Sequence, residues 1–201
     1  MDDTDFFGVD IVDAYDLKIE ELYKMTGKEL RKNKIDSLLG PGMNIHRNPL
    51  NGRNFEYISE DPLLTGKISL AQVIGMQSQG VAPTIKHFCG NNQEVSRHFA
   101  DSIISERALR EIYLKGFEIC VKEADPWTVM TSYNLINGIH TSESYELITG
   151  ILRNEWGFGG MITTDWGAKN NPVYEVKAGN DMKMHIGYPE DLKAALESGE
   201  L

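Results

Sequence analysis

Asp165 closes the apolar run Gly160-Met161-Ile162-Thr163-Thr164-Asp165 and is followed at once by Trp166 and Gly167. A carboxylate at the end of a strand can be held rigidly for nucleophilic or acid–base work. The adjacent indole offers a flat apolar face of the kind a sugar ring rests on. The competing reading is an aspartate that caps the next turn. Lys86 and His87 end a second run, Pro83-Thr84-Ile85-Lys86-His87-Phe88. Neighbouring strand residues point to opposite faces, but at a strand end the turn brings both within reach of one mouth. Lys86 then serves as a hydrogen-bond donor, as a Schiff-base amine, or simply as a solvated cation, and His87 as a donor or a core residue. A third run, Thr128-Val129-Met130-Thr131-Ser132-Tyr133, ends on Tyr133. Arg53 lies in a long loop with Glu56, Glu60 and Asp61, where its planar fork suits hydroxyls or a neighbouring carboxylate.

Holding such residues at strand ends calls for a particular scaffold. Val12, Tyr15, Ile19, Leu22, Tyr23 and Leu30 share a helical face over about residues 11 to 33. Ser37-Leu38-Leu39 runs into the turn Gly40-Pro41-Gly42, and a loop then extends to about Pro62, a length that usually serves function. A helix through Leu70, Val73, Ile74 and Met76 stops at Gly80. Ser105 caps another, carrying Ala108, Leu109, Ile112, Phe117, Ile119 and Val121. Asn137-Gly138 marks a turn, Tyr145 to Trp156 a helix stopped by Gly157, Ala178 to Met184 a weak strand, and Asp191 to Glu197 a last helix. Strands alternating with helices predict a parallel α/β sheet. With polar residues gathered at strand ends and no Gly-rich phosphate fingerprint, the expectation is a (β/α)8 barrel, incomplete at about five strand–helix units.

Composition narrows the chemistry. The 201 residues carry 20 Lys+Arg against 30 Asp+Glu, a net charge of −10, which disfavours nucleic acid or an anionic membrane as partner. The one short basic run, Arg31-Lys32-Asn33-Lys34, reads as a solvated helix end. Cys89 and Cys120 are too few for a disulfide framework and read as buried apolar residues. His46, His87, His98, His140 and His185 form no His-x-His pair and no His-Glu-x-x-His helix, so neither a metal nor a cofactor is expected. No apolar run approaches the ~20 residues of a membrane span. The acidic start Met1-Asp2-Asp3-Thr4-Asp5 is not a secretory signal, and the expected location is the cytoplasm.

From about residue 18 onward the sequence resembles glycoside hydrolase family 3, the β-glucosidase type. The resemblance rests on Leu39-Gly40-Pro41-Gly42-Met43-Asn44-Ile45-His46-Arg47, Gly52-Arg53-Asn54-Phe55-Glu56, Ser59-Glu60-Asp61-Pro62 and Ile85-Lys86-His87-Phe88. It continues in Ser105-Glu106-Arg107-Ala108-Leu109-Arg110-Glu111, Met130-Thr131-Ser132-Tyr133-Asn134 and Thr164-Asp165-Trp166-Gly167. It implies a retaining hydrolase of β-linked glucosides or related sugars. Asp165 matches the family's nucleophile; Arg53, Lys86 and His87 match residues that hydrogen-bond the first sugar; Tyr133 and Trp166 match residues around it. Lys86 and Arg53 are expected to help keep Asp165 ionised.

The resemblance also carries departures. Phe6 to Asp16 fits the family pattern poorly. The family's first barrel strand, which ends in Asp-Gly-Pro, and its α/β sandwich domain, which supplies the acid/base carboxylate, have no counterpart among residues 1–201. The loop after Phe88, Cys89-Gly90-Asn91-Asn92-Gln93-Glu94, lacks the histidine pattern of the single-domain N-acetylglucosaminidases, leaving Glu94 and His98 as weaker proton-donor candidates. The expectation is a single partial barrel domain that takes a small sugar or oligosaccharide substrate and self-associates through exposed barrel edges. The alternative is a catalytically silent sugar-binding fragment.

Overall fold

The computed structural model describes residues 11–201, with side chains from residue 17 onward. The acidic start, residues 6–10 of the poorly fitting stretch and the side chains of Val12 and Tyr15 lie outside what is described. Helix α1 spans Ile11–Lys32. Of its expected apolar face, Ile19, Tyr23 and Leu30 are half-buried, whereas Leu22 is exposed. Arg31 and Lys32 end the helix in solvent, and Arg31 pairs with Asp36.

Strand β1 (Ser37–Leu38) leads through the long loop to α2 (Pro62–Gln77), and β2 follows at Ala82–Phe88. Asp61 caps α2, its Oδ1 accepting from Leu63 N at 2.7 Å and Leu64 N at 3.1 Å, and Pro62 sits where its missing N–H costs nothing. Helix α2 is buried on several sides, with α1 against one and α4 against another. At Gly75 a Cβ would come within 2.6 Å of the Glu20 carbonyl oxygen in α1, so only glycine lets the two backbones approach this closely.

After the two-residue strand β3 (Asp101–Ser102), Ser105 caps a helical stretch: α3 (Glu106–Ala108), a π turn over Leu109–Tyr113, and α4 (Lys115–Ala124). The π turn closes with Leu114 N donating to Leu109 O at 2.8 Å. Strand β4 is Thr128–Thr131; β5 (Leu135–Ile136) and β6 (Ile139–His140) form a hairpin across Asn137 and Gly138, both at positive φ. Glu146–Glu155 is a π-helix rather than the α-helix its periodicity suggests, because sequence spacing does not register an i→i+5 bond pattern. Strand β7 is Met161–Thr163, followed by α5 (Pro172–Ala178) and α6 (Pro189–Ser198).

The main sheet runs β1-β2-β4-β7, all parallel, with Ile85 opposite Val129 and Val129 opposite Ile162. This is an arc of a TIM-barrel-like α/β fold. The fifth strand expected over Ala178–Met184 is corrected: Ala178 ends α5, Gly179 turns at φ 106°, and only Met182 pairs, through a single bridge to Thr163. Ile85, Phe88, Val129 and Ile162 pack with Val73, Phe117, Ile148 and Leu152 in one core. Phe88 meets Phe117 and Trp156 edge-on, at 5.2 and 6.1 Å between ring centroids. Both cysteines are fully buried, and burial pushes their thiols far up, so they act as apolar fillers.

A candidate active site at the strand ends

The carboxyl ends of β2, β4 and β7 converge on Asp165. The loop beyond β1 joins them through the edge of β2: Met43 N donates to Lys86 O at 2.8 Å, and Lys86 N to Pro41 O at 3.0 Å. Asn44 then seats His87 by both backbone groups. Its Oδ1 accepts from His87 N and its Nδ2 donates to His87 O, each at 2.9 Å. That side chain stands in for a strand partner where the β2–β4 register shifts between Ile85 and Phe88. The Lys86–His87 peptide is cis.

Arg53 and Lys86 both reach the site, joined by Glu56. Arg53 Nε donates to Glu56 Oε1 at 2.5 Å, and Lys86 Nζ lies 3.1 Å from Oε2. Burial pushes the Glu56 carboxyl up, but the two cations outweigh it and hold the group below the usual range. Among the other loop acids, Asp61 caps α2 and Glu60 is exposed.

His87 is 1% exposed. Its Nδ1 lies 3.0 Å from Tyr57 Oη, and its Nε2 lies 3.5 Å from Asp165 Oδ2. Burial first, then the charges of Arg53, Lys86 and Arg97, drive its pKa well below the ordinary value, so the ring is neutral. Asp165 is buried, and its Oδ1 accepts from Trp166 N at 2.7 Å. Its Oδ2 has no hydrogen-bond partner among the described residues.

Burial raises the Asp165 pKa, and this outweighs the Trp166 amide, the Arg53 charge, the Tyr133 hydroxyl and the Arg97 charge. The expectation that Lys86 and Arg53 help keep Asp165 ionised holds for Arg53, whose charge lowers the Asp165 pKa, and is corrected for Lys86, which pairs with Glu56; loss of water still leaves the pKa raised. Tyr133 donates through Oη to the Trp166 carbonyl, and its pKa is raised to about 12 by burial and the Asp165 charge. The Trp166 indole is 53% exposed at the mouth.

All six residues singled out from sequence thus lie in one contiguous cluster, linked through Glu56, Asp165 and the Trp166 backbone. Asn44, Tyr57, Asn91 and Arg97 belong to it as well and were missed. The Arg97 guanidinium sits over the Tyr133 ring, 4.4 Å from its centroid, while pairing with Glu94 at 2.8 Å. His98 lies tilted against the same ring, 4.3 Å between centroids. Asn44 lay within a motif already noted, whereas Arg97 carries no sequence signal of its own. Of the expected proton-donor candidates, Glu94 is occupied by Arg97 and Asn91, while His98 lies against the Tyr133 ring. A surface groove of about 330 Å³, lined by Arg110, Glu111, Lys115, Glu118, Glu155 and Trp156, includes no residue of the cluster. Among the described residues, no three His, Cys, Asp or Glu side chains converge as metal ligands, and no helix is long and apolar enough to cross a membrane.

A β-glucosidase of Ruminococcus albus is 54% identical over 197 residues, covering 91% of this chain but 21% of that protein. An exo-α-(1→6)-L-arabinopyranosidase of Bifidobacterium longum is 47% identical over 173 residues, covering 86% of this chain and 23% of that protein. The solved structure of β-glucosidase 3B from Thermotoga neapolitana in complex with α-D-glucose superposes with a TM-score of 0.89 at 48% identity, over 96% of this chain and 29% of that one. The chain spans about a fifth of the length of the curated relatives it matches. Residues 9–201 match the sequence model of the glycosyl hydrolase family 3 N terminal domain, and the chain belongs to that family.

Proposed function

We propose that this chain, as a single catalytic-barrel domain, binds a terminal β-linked glucosyl or related pyranosyl residue and attacks it with Asp165. One observation carries the reading: a buried carboxylate has one oxygen fixed by the Trp166 amide and the other unpaired, beside neutral His87 and a half-exposed indole. The names of the relatives, β-glucosidases and an arabinopyranosidase, support the substrate class.

In this reading Trp166 lies against the sugar ring while Arg53, Lys86 and His87 donate to its hydroxyls. The unpaired Oδ2 is poorly solvated, which favours attack on a carbon that develops positive charge. A bond forms from Oδ2 to the anomeric carbon as the glycosidic C–O bond breaks, and the leaving oxygen takes a proton from an acid. Water later cleaves the ester. Glu56 is a poor acid, since two cations hold it ionised, and Glu94 is tied to Arg97 and Asn91. The acid is therefore assigned to neither.

Aryl β-glucosides with good leaving groups need little protonation and test the nucleophile by itself. Measurable release of the aryl alcohol, abolished in Asp165→Asn, is the expected result. Binding of glucose with no release from any activated aryl glycoside favours the silent sugar-binding reading instead.

A further inference from the structure

A chain of hydrogen bonds runs behind His87, away from the sugar-facing side, and its direction can be worked out from its outer end. Glu94 is held by Arg97 through Oε2 at 2.8 Å, and its Oε1 lies 3.1 Å from Asn91 Nδ2. A carboxylate only accepts, so the Asn91 amide must turn its NH2 towards it. The flipped amide would set two oxygens against each other. That NH2 also donates to Tyr57 Oη at 2.9 Å. Tyr57 Oη has one proton of its own, and burial keeps it there by pushing the phenol pKa far up. The remaining partner within reach is His87 Nδ1, at 3.0 Å.

If Nδ1 carried the imidazole proton, Tyr57 Oη would receive two donors, and its own proton would lack an acceptor among the described residues. Nε2 would then turn a lone pair on the Asp165 Oδ2 carboxylate, 3.5 Å away. Both consequences are unfavourable in a site this buried. With the proton on Nε2, Tyr57 donates to Nδ1, and the N–H faces Asp165.

We infer that Tyr57 is a positioning residue whose hydroxyl, oriented by Asn91 and Glu94, holds His87 in the Nε2–H tautomer. His87 thereby offers a donor, not an acceptor, to Asp165 and to any oxygen bound beside it. The meaning of that donor for sugar recognition rests on the function proposed above; the tautomer does not.

The test is the ring-nitrogen NMR spectrum of the unliganded chain labelled with 15N-histidine, with His87 assigned by its loss in His87→Gln. Near neutral pH the wild type should show His87 Nε2 protonated and Nδ1 unprotonated. In Tyr57→Phe, Nδ1 loses its donor, the Nδ1–H form becomes populated, and the two ring signals move towards each other while the remaining spectrum stays dispersed. A wild-type proton on Nδ1 overturns the inference, as does a folded Tyr57→Phe protein with unchanged His87 signals. If Tyr57→Phe does not fold, the wild-type spectrum decides, since Tyr57 Oη is the one described group bonded to Nδ1. No substrate enters the experiment, so its failure leaves the glycosidase reading standing, and failure of that reading leaves the tautomer standing.

Discussion

His87 Nε2 faces Asp165 Oδ2 at 3.5 Å across the end of β4, although β2, which carries His87, and β7, which leads to Asp165, do not pair with each other. The sheet order brings the two residues together from positions 78 apart in the chain.

Stability should fall as pH drops below about 6.5. The folded His87 pKa lies well below its ordinary value of 6.5, so the unfolded chain takes up that proton first and is favoured. Glu56, held below its ordinary 4.5, adds loss of the same sign once the pH falls through that lower range. Asp165, raised by burial, acts in the opposite sense. Denaturant midpoints across this range should show a decline between neutral pH and about pH 5.5 that flattens in His87→Gln. An unchanged decline in that variant contradicts the assignment.

Asn44→Ala should cost about 2–4 kcal/mol, because it strips partners from two buried backbone groups of His87 at once. Chemical denaturation measures this directly. A cost below about 1 kcal/mol means that the bulge in β2 closes without its side-chain brace.

Gly75→Ala should destabilise the fold by about 1–3 kcal/mol, since the new methyl meets the α1 backbone. Gly150→Ala is the matched control, with nothing nearer than 3.8 Å to its Cβ and a helical site that favours alanine. Equal melting temperatures for the two variants would refute the close α1–α2 approach.

Self-association is expected of the isolated chain, because β1 ends the sheet and its outer edge pairs with no other strand among the described residues. Phe55 and Phe99 add exposed apolar surface near the mouth. Light scattering should report species heavier than 22.6 kDa. A monodisperse monomer with one cooperative melt contradicts this.

The parallel α/β pattern and the strand-end positions of Lys86, His87 and Asp165 were legible because alternation and punctuation are local. Asn137-Gly138 announced its turn for the same reason, and the structure makes it the turn of the β5–β6 hairpin. The weak strand over Ala178–Met184 misled because its apolar residues belong partly to α5, whose signals, Asn171 and Pro172 before it and Gly179 after, span only seven helical residues. Leu22 fell on the wrong side because α1 packs along Ile19, Tyr23 and Gly27, a narrower stripe than its apolar content suggests. Asn44 and Tyr57 were missed because they act on His87 from 43 and 30 positions away, and Asn91 because it acts through Tyr57, 34 positions from it, relations that no local spacing encodes.

The most direct test of the central claim is intact mass after incubation with an activated 2-deoxy-2-fluoro-β-glucoside. That reagent accumulates a glycosyl–enzyme ester without an efficient acid. The account predicts one added fluoroglucosyl group, located on the peptide containing Asp165 and lost in Asp165→Asn. A folded chain that takes up no adduct, or one labelled equally well in Asp165→Asn, contradicts it.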